Sequence, residues 1–269
     1  MDSGSIGRNR YAWLLGALRW RMVLGYAAFA VGAFILLLPL DAPVYRLVAG
    51  THTSDTWWHR GLKAIGWLPL WLALAAVLLA IDATRHKRIG WKNVLARPAM
   101  FFCAGIGGGL IAEGLKLLLR RARPGVAEGE YLRRPFIVDP LISNNLALPS
   151  SHALVAFAAC MMAGRLWPKL APVFWLLAIG CGLTRVLAKA HFLSDVVLAA
   201  LCAWPLVDML WWWNRREVER HHLVPWPPPL HRELQREAAK KKTKPQVNAD
   251  KRGCVWTRSA QDKMMRKSE

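Results

Sequence analysis

Three polar clusters interrupt a largely apolar sequence, and each holds residue types suited to an oxyanion. The first is Lys116, Arg120, Arg121 and Arg123 ahead of Pro124, the second Pro149-Ser150-Ser151-His152. The third is Thr184-Arg185 followed by Lys189, His191 and Asp195. Lys116 and Arg123 are two helical turns apart and share a face if the helix persists. With Arg185 they supply three cations, two of them forked donors that match phosphate oxygens. Ser150 and Ser151 precede a helix, whose first N–H groups lack partners and favour an anion. His191 and Asp195, four apart, share a helical face if this stretch is helical. A carboxylate on one imidazole nitrogen would fix the tautomer and leave the other nitrogen as a nucleophile. His152 has no carboxylate nearby in sequence and suits a general acid for a departing alkoxide.

These clusters need elements to carry them, and the apolar runs supply those. Crossing a bilayer takes about 20 mostly apolar residues. Runs near Met22–Leu40, Ala64–Ile81, Ala99–Leu119, Ala153–Leu166, Ala171–Ala188 and Val196–Trp213 predict an all-α membrane protein of about six transmembrane helices. The first run follows a basic arm and lacks a small-residue cleavage site, so it reads as a retained anchor. Hydrophobic residues make up 54% of the chain while the net charge is +20, and separate apolar spans with basic flanks satisfy both. Nucleic-acid binding is excluded as the reason for that charge, because the base flanks apolar runs or crowds the last quarter. The cysteines show no C-x-x-C and no pairing logic, which points to neither a disulfide framework nor a metal knuckle.

Lys and Arg concentrate at the N-terminus, in the loops after the second and fourth runs, and after Trp213. The positive-inside rule then makes both termini cytoplasmic. All three polar clusters fall on the opposite, outward side. Snorkelling would explain any single Lys or Arg at a helix end. It does not explain three clusters with two histidines at one level.

Lys116–Pro124 fits K-x6-R-P, Pro149–His152 is similar to P-S-G-H, and Thr184–Asp195 is similar to S-R-x5-H-x3-D. In this order, these elements resemble the type-2 phosphatidic acid phosphatase family of membrane lipid phosphatases, over roughly Gly105–Leu210. The resemblance implies that His191 attacks phosphorus and carries a phosphohistidine, with Asp195 as its partner. It implies His152 as the proton donor to the leaving group. Lys116, Arg123 and Arg185 would hold the phosphoryl oxygens, with Ser150, Ser151 and nearby amides assisting. No metal and no cofactor are implied. Two positions depart from the pattern: Ser151 stands where the family has Gly, and Thr184 where it has Ser.

The remaining signals weigh less. The Gly105–Gly109 run lies inside an apolar span and reads as helix packing through Gly105 and Gly109. Glu113, three residues before Lys116, reads as its structural ion-pair partner. Arg120, Arg121, Arg133 and Arg134 are candidates for a substrate headgroup, and the loop from Gly125 to Leu148 for discrimination between substrates. Residues 214–269 form a basic, Pro-containing tail suited to anionic membrane lipids, leaving 1–213 as the transmembrane domain.

The expected function is hydrolysis of a lipid phosphate monoester or diphosphate at the outer face of a bacterial cytoplasmic membrane. Lipid A-type and isoprenoid diphosphate substrates are favoured by the extra arginines. The alternatives are a glycerophospholipid phosphatase, a non-catalytic lipid-phosphate binder or transporter on the same scaffold, and a haloperoxidase-like oxidant.

Overall fold

Within a bilayer every backbone N–H and C=O must be satisfied inside the protein, so uninterrupted apolar runs become helices. The computed structural model describes residues 3–51, 56–84, 91–126, 130–137 and 141–220. Helix α1 spans Ser3–Val48, α2 Trp57–Ala64, α3 Leu68–Ala83, and α4 Trp91–Leu119. After the long loop come α5 Ser151–Leu166, a 3-10 turn Pro168–Leu170, α6 Ala171–Leu187 and α7 Leu193–Arg220. The protein is all-helical, as the apolar pattern predicts, with isolated β-bridges in the long loop.

Helices stand at all six expected places, yet they are not six equal crossings. Four are long and apolar enough to cross, and α2 with α3, bent by 60°, counts as a fifth if taken as one broken span. The exception is α5. Its 16 residues measure about 24 Å at 1.5 Å per residue, short of a hydrocarbon core of about 30 Å. It packs instead against α4, α6 and α7, and nearly every residue from Ala153 to Ala163 is buried. Its small side chains (Ala153, Ala156, Ala158, Ala159, Ala163) let those neighbours approach closely. This short helix is therefore the hub of the bundle.

Polar ties link the helices to one another. The Tyr26 hydroxyl of α1 donates to the Leu201 carbonyl of α7 at 2.6 Å. Asp82 of α3 holds Arg97 of α4 through a buried ion pair, and Arg165 of α5 pairs with Asp208 of α7. α4 and α6 end, and α5 and α7 begin, next to the three clusters. The clusters thus gather at one end of the bundle. α7 continues past Trp213, the expected end of the transmembrane domain, to Arg220. The tail beyond it, with its expected lipid contacts, lies outside the described residues.

Candidate active site

The first cluster does not extend the helix that carries it. α4 stops at Leu119, and Arg120 adopts the left-handed region at φ 53° while its N–H caps the Lys116 carbonyl at 2.8 Å. A left-handed residue after the last turn is a common helix terminator, though usually it is Gly. Lys116 and Arg123 accordingly do not share one helix face, contrary to the expectation from their spacing. Beyond the turn, the chain threads between two parts of the long loop. Ala122 N–H donates to Leu132, Arg134 N–H to Arg120, and Ala147 N–H to the Arg121 carbonyl at 2.8 Å. Backbone pairing rather than helix continuation aims Arg123.

The third cluster turns in a similar way. Lys189 takes φ 54° after α6, and the N–H groups of Ala190 and His191 fold back onto the Arg185 carbonyl. His191 is 3% exposed, and its Nδ1 lies 2.8 Å from the Ala147 carbonyl oxygen. A carbonyl only accepts, so Nδ1 carries the proton and Nε2 keeps its lone pair. Burial, with Arg185 and Arg123 acting on it, holds the imidazole pKa well below its ordinary value. The ring is neutral, with its Nε2 unprotonated.

Asp195 does not orient that ring by a direct hydrogen bond, which corrects the expectation from the His-x3-Asp spacing. Its Oδ2 is 3.9 Å from Nδ1 and accepts instead from the Phe192 N–H at 2.9 Å. The physical reason is the helix start: α7 begins at Leu193, so His191 precedes the helix. Asp195 stands in its first turn, where a carboxylate caps the N-terminal amide.

The other Asp195 oxygen belongs to a buried charge cluster. Arg121 donates to Asp195 Oδ1 at 2.8 Å, to Ser194 Oγ at 2.7 Å and to Asp41 Oδ2 of α1 at 2.7 Å. Asp41 also accepts from the Ser194 N–H at 3.0 Å and from its hydroxyl. The Arg121 guanidinium lies 3.9 Å from the Phe192 ring centroid and 4.7 Å from that of Tyr131. It is 1% exposed, so the expected role at a lipid headgroup does not fit: burial between two carboxylates makes it a brace. Arg120, also 1% exposed, sits over Phe136 and likewise is not presented at the surface. Arg133 is exposed and Arg134 half-buried; these two remain within reach of a headgroup. Sequence reading missed Asp41, although an acidic residue at the end of an apolar span was the available signal.

The cations of the cage converge on His191: the charges of Arg185, Arg123 and Lys116 all act on it. The Nε atoms of Arg121, Arg123 and Arg185 are buried without a hydrogen-bond partner. A buried donor left unmade costs about 1–3 kcal/mol. The other Arg121 nitrogens are taken by Asp41, Asp195 and Ser194, which leaves Arg123 and Arg185 as the cations with donors to offer an acceptor. Ser150 is the N-cap of α5, its Oγ accepting from Ala153 N–H at 3.4 Å, and the first turn of α5 opens the same site to an anion. Ser151 turns its hydroxyl to Lys116 and to Glu113 at 2.8 Å. The Glu113–Lys116 ion pair is present at 2.8 Å. Thr184 spends its hydroxyl on the Cys181 carbonyl of its own helix.

His152, one residue into α5, is positioned by the bend between α2 and α3. A Cβ on Gly66 would meet the His152 carbonyl oxygen at 2.6 Å and its Cβ at 2.8 Å, so only glycine lets the bend come this close. Burial, with the charges of Arg185, Lys63, Lys116 and Arg123 acting on the ring, lowers its pKa to about 4, so the ring gains a proton only when a bound anion offsets those charges. His152 also lines a cavity of about 390 Å³ that runs from Ser151 and Glu113 past Ile106, Gly109 and Leu110. Gly109 has open space around its Cα and so borders this cavity rather than packing a helix; Gly105 does pack closely, against Leu68.

Among the described residues no group of three or more His, Cys, Asp and Glu side chains is gathered that could hold a metal ion. Fold and site define an all-helical membrane protein with an oxyanion site at one end of its bundle. The PAP2 superfamily model matches residues 98–219, the segment that holds all three polar clusters. It is 27% identical over 200 residues to the Lipid A 1-phosphatase of Rhizobium johnstonii, covering 70% of this chain and 78% of the relative. The Lipid A 1-phosphatase of Rhizobium etli is also 27% identical, over 67% of this chain and 78% of its own length. The crystal structure of a transmembrane PAP2 type phosphatidylglycerolphosphate phosphatase from Bacillus subtilis shares the fold. Its TM-score is 0.53 at 16% identity, over 72% of this chain and 96% of the other. The matches indicate a membrane phosphatase.

Proposed function

We propose that the chain hydrolyses a lipid phosphate monoester or diphosphate through a phosphohistidine on His191, at the outer face of a bacterial cytoplasmic membrane. The observation that carries the mechanism is the Nδ1 bond to Ala147, which leaves the Nε2 lone pair beside guanidinium groups whose Nε atoms have no partner. Nε2 attacks phosphorus, the bond from phosphorus to the leaving oxygen breaks, and His152 gives that oxygen a proton. Water then attacks the phosphohistidine, His152 takes its proton, and the phosphorus–nitrogen bond breaks to release inorganic phosphate. Lys116, Arg123 and Arg185, with the α5 N-terminus, stabilise the charge that builds on the transferring oxygens. Asp195 acts by holding the His191 loop.

The substrate's apolar part enters through the cavity beside His152, whose wall is largely apolar. The outward orientation follows from the basic residues flanking the other ends of the spans. Lipid A-type substrates are supported by the names of the rhizobial relatives. The test is phosphate release from a panel of lipid phosphates by the wild-type protein and by His191→Ala, together with rapid quench on a radiolabelled substrate. An acid-labile label on the wild-type protein, absent from the variant, is expected. Full activity in His191→Ala would remove the assigned nucleophile.

A further inference from the structure

We propose that Glu113 selects the leaving group: the site favours a phosphate monoester whose leaving alcohol carries hydrogen-bond donors, and disfavours a leaving phosphate. The inference rests on the phosphatase reading above, with His152 as the leaving-group acid.

Glu113 lies on α4 just under one turn before Lys116, and its side chain is 45% exposed. It shares the cavity wall with Ser151 and His152, and the rest of that wall carries neither Lys nor Arg. The leaving group therefore departs into a space whose one anionic wall residue is Glu113. This carboxylate accepts from Lys116 at 2.8 Å and from Ser151 at 2.8 Å, with Ser143 beside it. A bound phosphoryl group draws on Lys116, and an ionised carboxylate has about four acceptor sites. Glu113 then faces the cavity with unused acceptor capacity among apolar neighbours such as Ile106 and Leu110, where an uncompensated charge is costly.

Hydroxyl or amide N–H groups on a leaving sugar would meet that need. A leaving phosphate would bring a second negative charge beside Glu113 and be repelled. Diacylglycerol, with neither donors nor charge near the scissile oxygen, falls between the two. Ser151 completes the device, because its hydroxyl reaches both Glu113 and Lys116, a bridge that glycine at this position cannot make.

The test measures kcat/KM of the full-length protein in detergent micelles on an acylated glucosamine 1-phosphate, on phosphatidic acid and on a polyprenyl diphosphate. Wild type is expected to favour the sugar phosphate over the diphosphate by about ten-fold or more, the scale of one unfavourable polar contact. Glu113→Gln removes charge but keeps an acceptor, and is expected to raise diphosphate relative to sugar phosphate by about five-fold or more. Glu113→Ala removes the acceptor and is expected to bring sugar phosphate down towards phosphatidic acid. If a Glu113 variant does not fold, Ser151→Gly carries the test through loss of the bridge, with the same narrowing of selectivity expected. A wild-type preference for diphosphate, or ratios within about two-fold of wild type in every folded variant, overturns the inference while leaving the phosphatase reading intact. Absence of phosphate release from all three lipids by wild type defeats that reading and the inference with it.

Discussion

Ala147 joins the first cluster to the third: its N–H donates to the Arg121 carbonyl at 2.8 Å, and its carbonyl accepts from His191 Nδ1 at 2.8 Å. The orienting partner of the His191 ring is thus a backbone atom of the loop before Pro149, not the carboxylate four residues on. A carbonyl fixes the tautomer as a carboxylate would but places no full negative charge beside the ring.

That difference predicts the pH profile. With burial and Arg185 and Arg123 acting together, the His191 pKa is lowered well below its ordinary value. The neutral, nucleophilic form therefore persists as pH falls through about 6.5, the usual histidine value, and is lost only as pH drops through the lowered value. The acid limb of kcat/KM attributable to His191 is expected clearly below pH 6.5. Arg123→Gln removes one of the charges holding the pKa down and is expected to move that limb to higher pH. A limb at 6.5 or above in wild type would contradict the arrangement.

Asp195→Asn tests whether this carboxylate is a brace. Arg121 would lose one of its two charged partners, and the Phe192 N–H would keep at best a neutral acceptor. Breaking a buried pair costs about 3–5 kcal/mol when one charge is left uncompensated. Asp41 still faces Arg121, so a smaller loss of about 1–3 kcal/mol is expected, seen as a lower Tm together with lower kcat. A large fall in kcat at unchanged Tm would instead show direct action on the imidazole.

Asp41 extends that logic beyond the matched segment 98–219. It is 3% exposed and ties α1 to both Arg121 and Ser194. Asp41→Ala is expected to lower Tm and to reduce kcat by on the order of ten-fold or more through displacement of the 191–195 loop. KM should move less, since Asp41 does not face the cage. Asp41→Glu is expected to recover part of both losses. Equal losses of kcat and KM terms with no rescue would mark a general folding defect.

These residues also show what could be read in the chain beforehand. Apolar runs locate the helices because the bilayer leaves little choice of backbone structure, and Lys116, Arg123, His152, Arg185 and His191 are legible because charged groups beside such runs are costly. Three features were not legible. Arg120 ends its helix in a left-handed conformation that its side chain does not announce. Arg121 reads in sequence as one more interfacial arginine but is held between Asp41 and Asp195, a pairing separated by 80 and 74 residues. The break at Gly66, at the head of the run from Ala64, sets a further helix at 60° before α3, because Gly66 answers to His152 far along the chain rather than to its own neighbours.

Gly66→Ala is the sharpest test of that last relationship. An added methyl would lie 2.6 Å from a backbone oxygen and 2.8 Å from the Cβ of His152, with Cys181 Sγ at 2.9 Å. None of these is the free end of a flexible side chain, so either the α2–α3 bend or the start of α5 must move. Overpacking of this kind costs about 1–3 kcal/mol. Because His152 stands at the shifted helix start, the displacement falls on the proposed leaving-group acid. A misplacement of about 1 Å can cost on the order of 10²-fold in rate. Activity is expected to fall most on substrates whose leaving alcohol has a high pKa, since those depend on proton donation. An aryl phosphate, whose leaving group needs little help, should be hydrolysed by Gly66→Ala at close to the wild-type rate. The His191→Ala variant should lose both substrates alike. Equal loss of alkyl and aryl phosphates in Gly66→Ala would place the damage in the phosphate cage and not at His152.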